Sequence, residues 1–165
     1  MPHIMKKHLL IIFSSALLCA VMTACQSRAV STPELYGASV LIRTTSAGVQ
    51  DTLRVTDSLN VGDTLRLSIV LNGGFNPLKS FTVTADPEAV IPALEADSAV
   101  QSVLTDGTNL EKGVMIFQPE KVVVCPVKLR FVPRKSGTHL IQMVIANDAG
   151  EGFSPRTYTY SPIVR

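Results

Sequence analysis

The sequence has no tryptophan, only three cysteines and three histidines among 165 residues, and only 5% aromatic residues. Each shortage closes off a class of chemistry. Cys19 lies within an N-terminal apolar run and Cys25 at its end, so Cys125 stands alone in the remainder, with no partner for an internal disulfide. Beyond that run the one histidine is His139. Zinc sites draw several ligands from Cys and His, and the remainder cannot supply a usual set, so no metal and no cofactor is expected. Ser-His-Asp catalysis would have to use His139, and a thiol hydrolase would have to pair it with Cys125. Net charge is also scarce. Setting residues 1–24 aside removes Lys6 and Lys7 and leaves 13 basic against 13 acidic residues. A formally neutral chain has no field to draw in nucleic acid.

The N-terminal run itself is well marked. Lys6, Lys7 and His8 form a short positive stretch, residues 9–21 are apolar and uncharged, and Met22-Thr23-Ala24-Cys25 follows. That order is the grammar of a secretory signal. The run from Leu9 to Ala24 is 16 residues, short of the roughly 20 that cross a bilayer core. The closing tetrapeptide resembles a lipobox, where a diacylglyceryl group is attached to the cysteine sulfur before cleavage. The family prefers Leu where Met22 stands, and Ala24 is the small residue beside the cut. The resemblance implies a signal helix over residues 1–24 and acyl chains, palmitate among them, on Cys25. Two or more chains make anchoring stable. Residues 26–37 are polar, include Pro33 and read as a tether spanning roughly 20 Å as a random coil. The expected organisation is therefore a signal over 1–24, lipidated cysteine and tether over 25–37, and one domain over 38–165.

From residue 38 the pattern is short β-rich segments with turn residues between them. Strands are expected over 38–45 and 51–56, then over 64–71, introduced by Gly62-Asp63. There Leu65, Leu67, Ile69 and Leu71 alternate with Arg66, Ser68 and Val70, the period of a strand with one buried face. Residues 78–84, 113–117 and 121–125 read the same way. Pro126 interrupts, and a proline belongs on an edge or at a bulge because it cannot donate to a ladder. Val127, Leu129 and Phe131 resume the alternation, and 138–146 and 156–164 complete eight or nine strands. Residues 86–107 are the weak stretch, with a short helix or irregular crossover expected over 92–104. Such spacing indicates an all-β protein built as an antiparallel β-sandwich.

Residues 127–150 carry a resemblance. Val-Lys-Leu-Arg-Phe-Val-Pro-Arg-Lys-Ser-Gly-Thr-His, the alternating stretch after it and Asn-Asp-Ala-Gly are similar to the late hairpin of immunoglobulin-like domains of the PKD or fibronectin-like sort. It implies an immunoglobulin-like fold and no particular ligand. His139 stands where the pattern has tyrosine, whose hydroxyl makes a corner hydrogen bond; an imidazole can make one too. The lipobox, the Gly-Asp-Thr lead-in and the terminal sandwich also resemble small cell-envelope lipoproteins of the Bacteroidetes. There, acidic residues after the lipid cysteine accompany surface export. Gln26-Ser27-Arg28 follows here, which implies the periplasmic side of the outer membrane.

Among single residues, Cys125 has the parity of Val123, Val127 and Leu129 and is expected in the core rather than as a nucleophile. His139 is expected as a hydrogen-bonded residue at the core rim. Asp106, Asp148 and Glu151 lie in Gly-containing loops that fit ordinary turn chemistry better than calcium binding. Tyr158 and Tyr160 are expected to pack on the sandwich rather than form a sugar-binding strip. Arg54, Arg66, Lys128, Arg130 and Arg134 read as a solvated sheet face. The expected function is a non-enzymatic binding or assembly module, lipid-anchored through Cys25, with a protein partner in the envelope. Contact is expected at a sheet edge near Pro126 or at the last strand. A pilus or adhesin subunit and a Cys125–His139 hydrolase are the alternatives.

Overall fold

The computed structural model describes residues 31–149 and 152–165. The expected signal, Cys25 and residues 26–30 lie outside the described residues, as does Glu151.

The alternation in the sequence becomes eleven strands. They are β1 (Glu34–Thr44), β2 (Gln50–Arg54), β3 (Thr64–Asn72), β4 (Leu78–Ala85), β5 (Val90–Glu95), β6 (Val114–Ile116), β7 (Val124–Pro133), β8 (Gly137–Thr138), β9 (Ile141–Asn147), β10 (Arg156–Tyr160) and β11 (Ile163–Val164). Among the described residues, one helical turn, α1 (Ser98–Gln101), and a 3-10 turn at Leu110–Lys112 complete the elements. In β3 and β7 every second residue is buried.

Nine of the strands form a five-stranded sheet, ordered β2-β1-β3-β7-β5, and a four-stranded sheet, ordered β10-β9-β4-β6, while β8 and β11 pair with each other. Leu65, Leu67, Ile69 and Leu71 of β3 and Val127, Leu129 and Phe131 of β7 face Phe81 and Val83 of β4 and Ile141, Met143 and Ile145 of β9 in one core. The sheets are antiparallel and packed face to face, an all-β sandwich. With β2 and β6 as additions, β1-β3-β7-β5 and β10-β9-β4 reproduce the A-B-E-D and G-F-C strand orders of the immunoglobulin fold. The core lacks the inter-sheet disulfide of antibody domains, because Cys125 is free. Phe81, fully buried on β4, fills the strand where those domains place tryptophan.

Several boundaries differ from expectation. β1 begins at Glu34, where Glu34 pairs with Asn72 and Gly37 with Ile69, so the last four residues of the expected tether belong to the sheet. Val90–Glu95 is a strand, not part of a helix or crossover, because it pairs with β7 from Val90↔Pro133 to Glu95↔Lys128; the helix is confined to Ser98–Gln101. The segment expected as a strand over 121–125 merges instead into β7, which runs through Pro126 opposite Val70. β5 ends opposite Lys128, so at Pro126 β7 is locally an edge, and the proline is tolerated there. The last expected strand is broken after Tyr160, and Ile163–Val164 pairs with Gly137–Thr138.

The end of the sandwich near Ser31 is closed by a hydrogen-bonded knot. The Ser31 carbonyl accepts from Asn147 Nδ2 at 2.9 Å and from Asn76 Nδ2 at 3.4 Å. Its hydroxyl accepts from the Phe75 amide at 2.8 Å and donates to the Gly73 carbonyl at 3.3 Å. Asn147 Nδ2 also donates to Gly73 O at 2.8 Å. Gly74 has φ +67°, and a Cβ there would stand 1.9 Å from Ser31 Oγ, so glycine is required for the close approach.

Candidate functional site

Cys125 and His139 do not form a site. Cys125 is the second residue of β7, 1% exposed, and Leu71 lies opposite it on β3. Burial, helped by the negative charge of Asp97, pushes its thiol up to about 11. A nucleophilic cysteine needs the opposite shift. His139 lies beyond the other end of β7, in the turn before β9. Its Nε2 is 2.8 Å from the Lys135 carbonyl. The eight residue steps of strand from Cys125 to Pro133 alone span roughly 26 Å. The imidazole thus makes a bond back to the chain four residues upstream, just before the sixth strand of the immunoglobulin order, where that fold places its corner tyrosine.

Tyr160 points inward. Its ring meets Phe131 edge-on, with centroids 5.8 Å apart and planes at 69°, and its hydroxyl donates to Val55 O at 3.0 Å. Burial raises the pKa of that hydroxyl. Tyr158 is half-buried against the same core, so the pair serves packing. Asp148 pairs with Lys79 at 3.2 Å, Asp106 is exposed, and no group of three metal-ligating side chains gathers among the described residues.

Of the basic residues read as a solvated face, Arg54, Lys128 and Arg134 are exposed, whereas Arg66 and Arg130 are part-buried in an ion-pair cluster. Arg66 and Arg130 sit opposite one another across β3 and β7. Glu95 lies between them, 3.0 Å from Arg66 Nε and 3.6 Å from Arg130 Nε, and Glu111 takes Arg130 Nη2 at 2.6 Å. This cluster was not legible in the sequence, because Glu95 comes from the stretch read as a helix or crossover and Glu111 from the turn before β6. On β1, Arg43 pairs with Asp51 of β2 and stands 3.8 Å from buried Asp63. The Arg43 guanidinium holds the Asp51 carboxyl below its ordinary range.

The two sheet edges expected to make contact are not equivalent. Beside Pro126, the flank of β7 beyond β5 lines a shallow groove with Ser68, Val70, Glu95, Asp97 and Lys128. Pro126 offers no N–H, and α1, capped by Asp97 Oδ1 on the Val100 amide at 2.8 Å, packs beside that flank. Both features blunt it against a further strand. β10 is different. It pairs with β9 alone, from Arg156↔Ile145 to Tyr160↔Ile141, and among the described residues no other backbone group bonds to it. Its sequence, Arg-Thr-Tyr-Thr-Tyr, is rich in strand formers. Apart from Arg156 at its first position, it carries none of the charge, proline or bulge that commonly protects an edge. Thr157 and Thr159 are exposed along it.

Comparison with known proteins adds nothing to this geometry: the sequence matches no protein-family model and no curated protein.

Proposed function

We propose that the chain is a lipid-anchored envelope protein, held to a membrane through Cys25, whose sandwich binds a protein partner without catalysing a reaction. The anchor is supported by the order of charge, apolar run and Met22–Cys25 in the sequence. The observation that carries the binding role is the open, unblunted edge of β10. An extended segment of a partner laid beside it would gain main-chain hydrogen bonds, with Thr157 and Thr159 flanking the contact. The outer membrane, periplasmic side, remains the proposed location, from the absence of acid after Cys25.

A photo-reactive amino acid at Thr157, and for comparison at Thr52 on β2, tests this in intact cells. One dominant adduct from Thr157, absent from Thr52, identifies the partner. A ladder of the protein with itself would mean that the edge is completed by another copy, as in a pilus or adhesin. No adduct from either position would overturn the binding role.

A further inference from the structure

We propose that the pole of the sandwich that carries Ser31 lies against a lipid bilayer, with Phe75 and Phe153 seated in its interfacial region. The proposal rests on the lipid-anchor reading of Cys25 and goes beyond it. A tether alone leaves the domain free to tumble, whereas a seated pole fixes its orientation.

The phenylalanines divide by position. Phe81, Phe117 and Phe131 are buried, while Phe75 is 78% exposed and Phe153 47%. Both residues adjoin the knot around Ser31. The Phe75 amide donates to Ser31 Oγ. Phe153 precedes Ser154, whose hydroxyl accepts from the Asn147 amide at 2.9 Å, and Asn147 in turn holds the Ser31 carbonyl. Val124, 55% exposed, lies opposite Asn72 at the same end, and the Val123 carbonyl accepts from Gly73 at 2.7 Å. Exposed apolar side chains mark a surface that can be covered; Leu140, Ile163 and Val61 are exposed at the opposite pole as well, so the covalent chain decides which pole meets the lipid.

The covalent chain selects a bilayer as the cover. Ser31 is fixed by its four hydrogen bonds, so only residues 26–30 separate it from Cys25. Six Cα steps reach at most roughly 20 Å, and an acyl chain on Cys25 would keep this pole within that distance of the lipid. Aromatic side chains on the apolar face of an anchored element settle at the headgroup–acyl boundary. Two acids at this pole are already engaged, Asp148 by Lys79 and Glu34 by the Tyr36 hydroxyl, which lowers the cost of approaching the membrane.

The absence of tryptophan provides the probe. The full-length protein, processed in cells and purified from membranes, is prepared as three variants: Phe75→Trp, Phe153→Trp and Leu140→Trp. Leu140 is exposed at the opposite pole, next to the start of β9. Each is reconstituted in phosphatidylethanolamine–phosphatidylcholine vesicles with brominated acyl chains. Most of the tryptophan emission at positions 75 and 153 is expected to be lost, and its maximum to shift to the blue, while position 140 keeps the emission it has in detergent-free buffer. If the protein sediments with the vesicles but positions 75 and 153 are unquenched, the seating is wrong and the anchor stands. Equal quenching at position 140 would also overturn it, because the pole would then have no preference. If mass spectrometry finds no acyl mass on Cys25 and the protein does not sediment, the anchor reading fails and takes the proposal with it.

Discussion

At about pH 8 the Cys125 sulfur is a thiol, since burial holds its ionisation near 11. Modification by a thiolate-selective reagent should therefore be slow in native buffer and fast in denaturant. Rapid labelling of the folded protein would place the sulfur at the surface. The same shift links stability to pH. The ordinary value is 9.0, so above it the unfolded chain has lost a proton that the folded chain still holds. Stability falls with rising pH between the two values, by about 1.4 kcal/mol per unit, and is fully present below the lower one. Urea titrations of the natural protein and of Cys125→Ala should show their difference in stability moving in the variant's favour by that slope as pH rises from about 9 to about 11. Parity alone placed this residue correctly in the sequence, because a strand leaves a side chain only two directions. His139 was harder to read. It sits outside β9, so the parity of Ile141 and Met143 does not govern it, and its bond to Lys135 depends on the turn between.

Among the elements, the knot around Ser31 and the Arg66–Glu95–Arg130 cluster join segments far apart in the chain. Asn147→Ala removes the donor that holds both Ser31 O and Gly73 O. It should cost about 1–3 kcal/mol and speed amide exchange in residues 31–37 and 72–76 ahead of the rest of the sheet. Exchange accelerated evenly across the domain would show that the knot is no separate unit. Glu95→Gln leaves Arg66 and Arg130 facing each other with their shared partner neutralised. The groups are about one-third exposed, so the loss should be about 1 kcal/mol and shrink in about 1 M salt. A salt-independent loss would assign it to packing. These elements also show where a single sequence falls short. β3 announces itself because both its neighbours leave one face wet, giving a clean alternation. Val-Ile-Pro-Ala-Leu-Glu of β5 does not, since its Pro, Ala and Glu disfavour strand. It is extended because the flank of β7 needs a partner, and as the last strand of its sheet it can carry Pro92. Tether and strand are likewise indistinguishable at residues 34–37 until Asn72 and Ile69 are known to lie opposite.

For the whole molecule, stability depends on the two sheets staying closed on one core. Phe131 of β7 is fully buried and touches Tyr160 of the other sheet. Phe131→Ala should cost about 3–5 kcal/mol, seen as a lowered denaturation midpoint with one transition by both circular dichroism and tyrosine fluorescence. Two separated transitions would mean that the sheets open independently. The sandwich was legible from strand spacing, whereas which sheet edges lie open was not. Which strand ends a sheet is decided by pairing between distant segments, and no local pattern records it.

The two ends of the domain are fixed at opposite poles. The chain comes in at Ser31, while Arg165 donates to Leu59 O at 2.8 Å and accepts from Val61 at 3.2 Å, beside the turn that leads into β3. A pull between the membrane and a protein gripping the far pole would therefore run along β1. With β1 antiparallel to β3 from Glu34↔Asn72 to Thr44↔Thr64, it would shear one strand past the other, loading their hydrogen bonds together and not peeling them one after another.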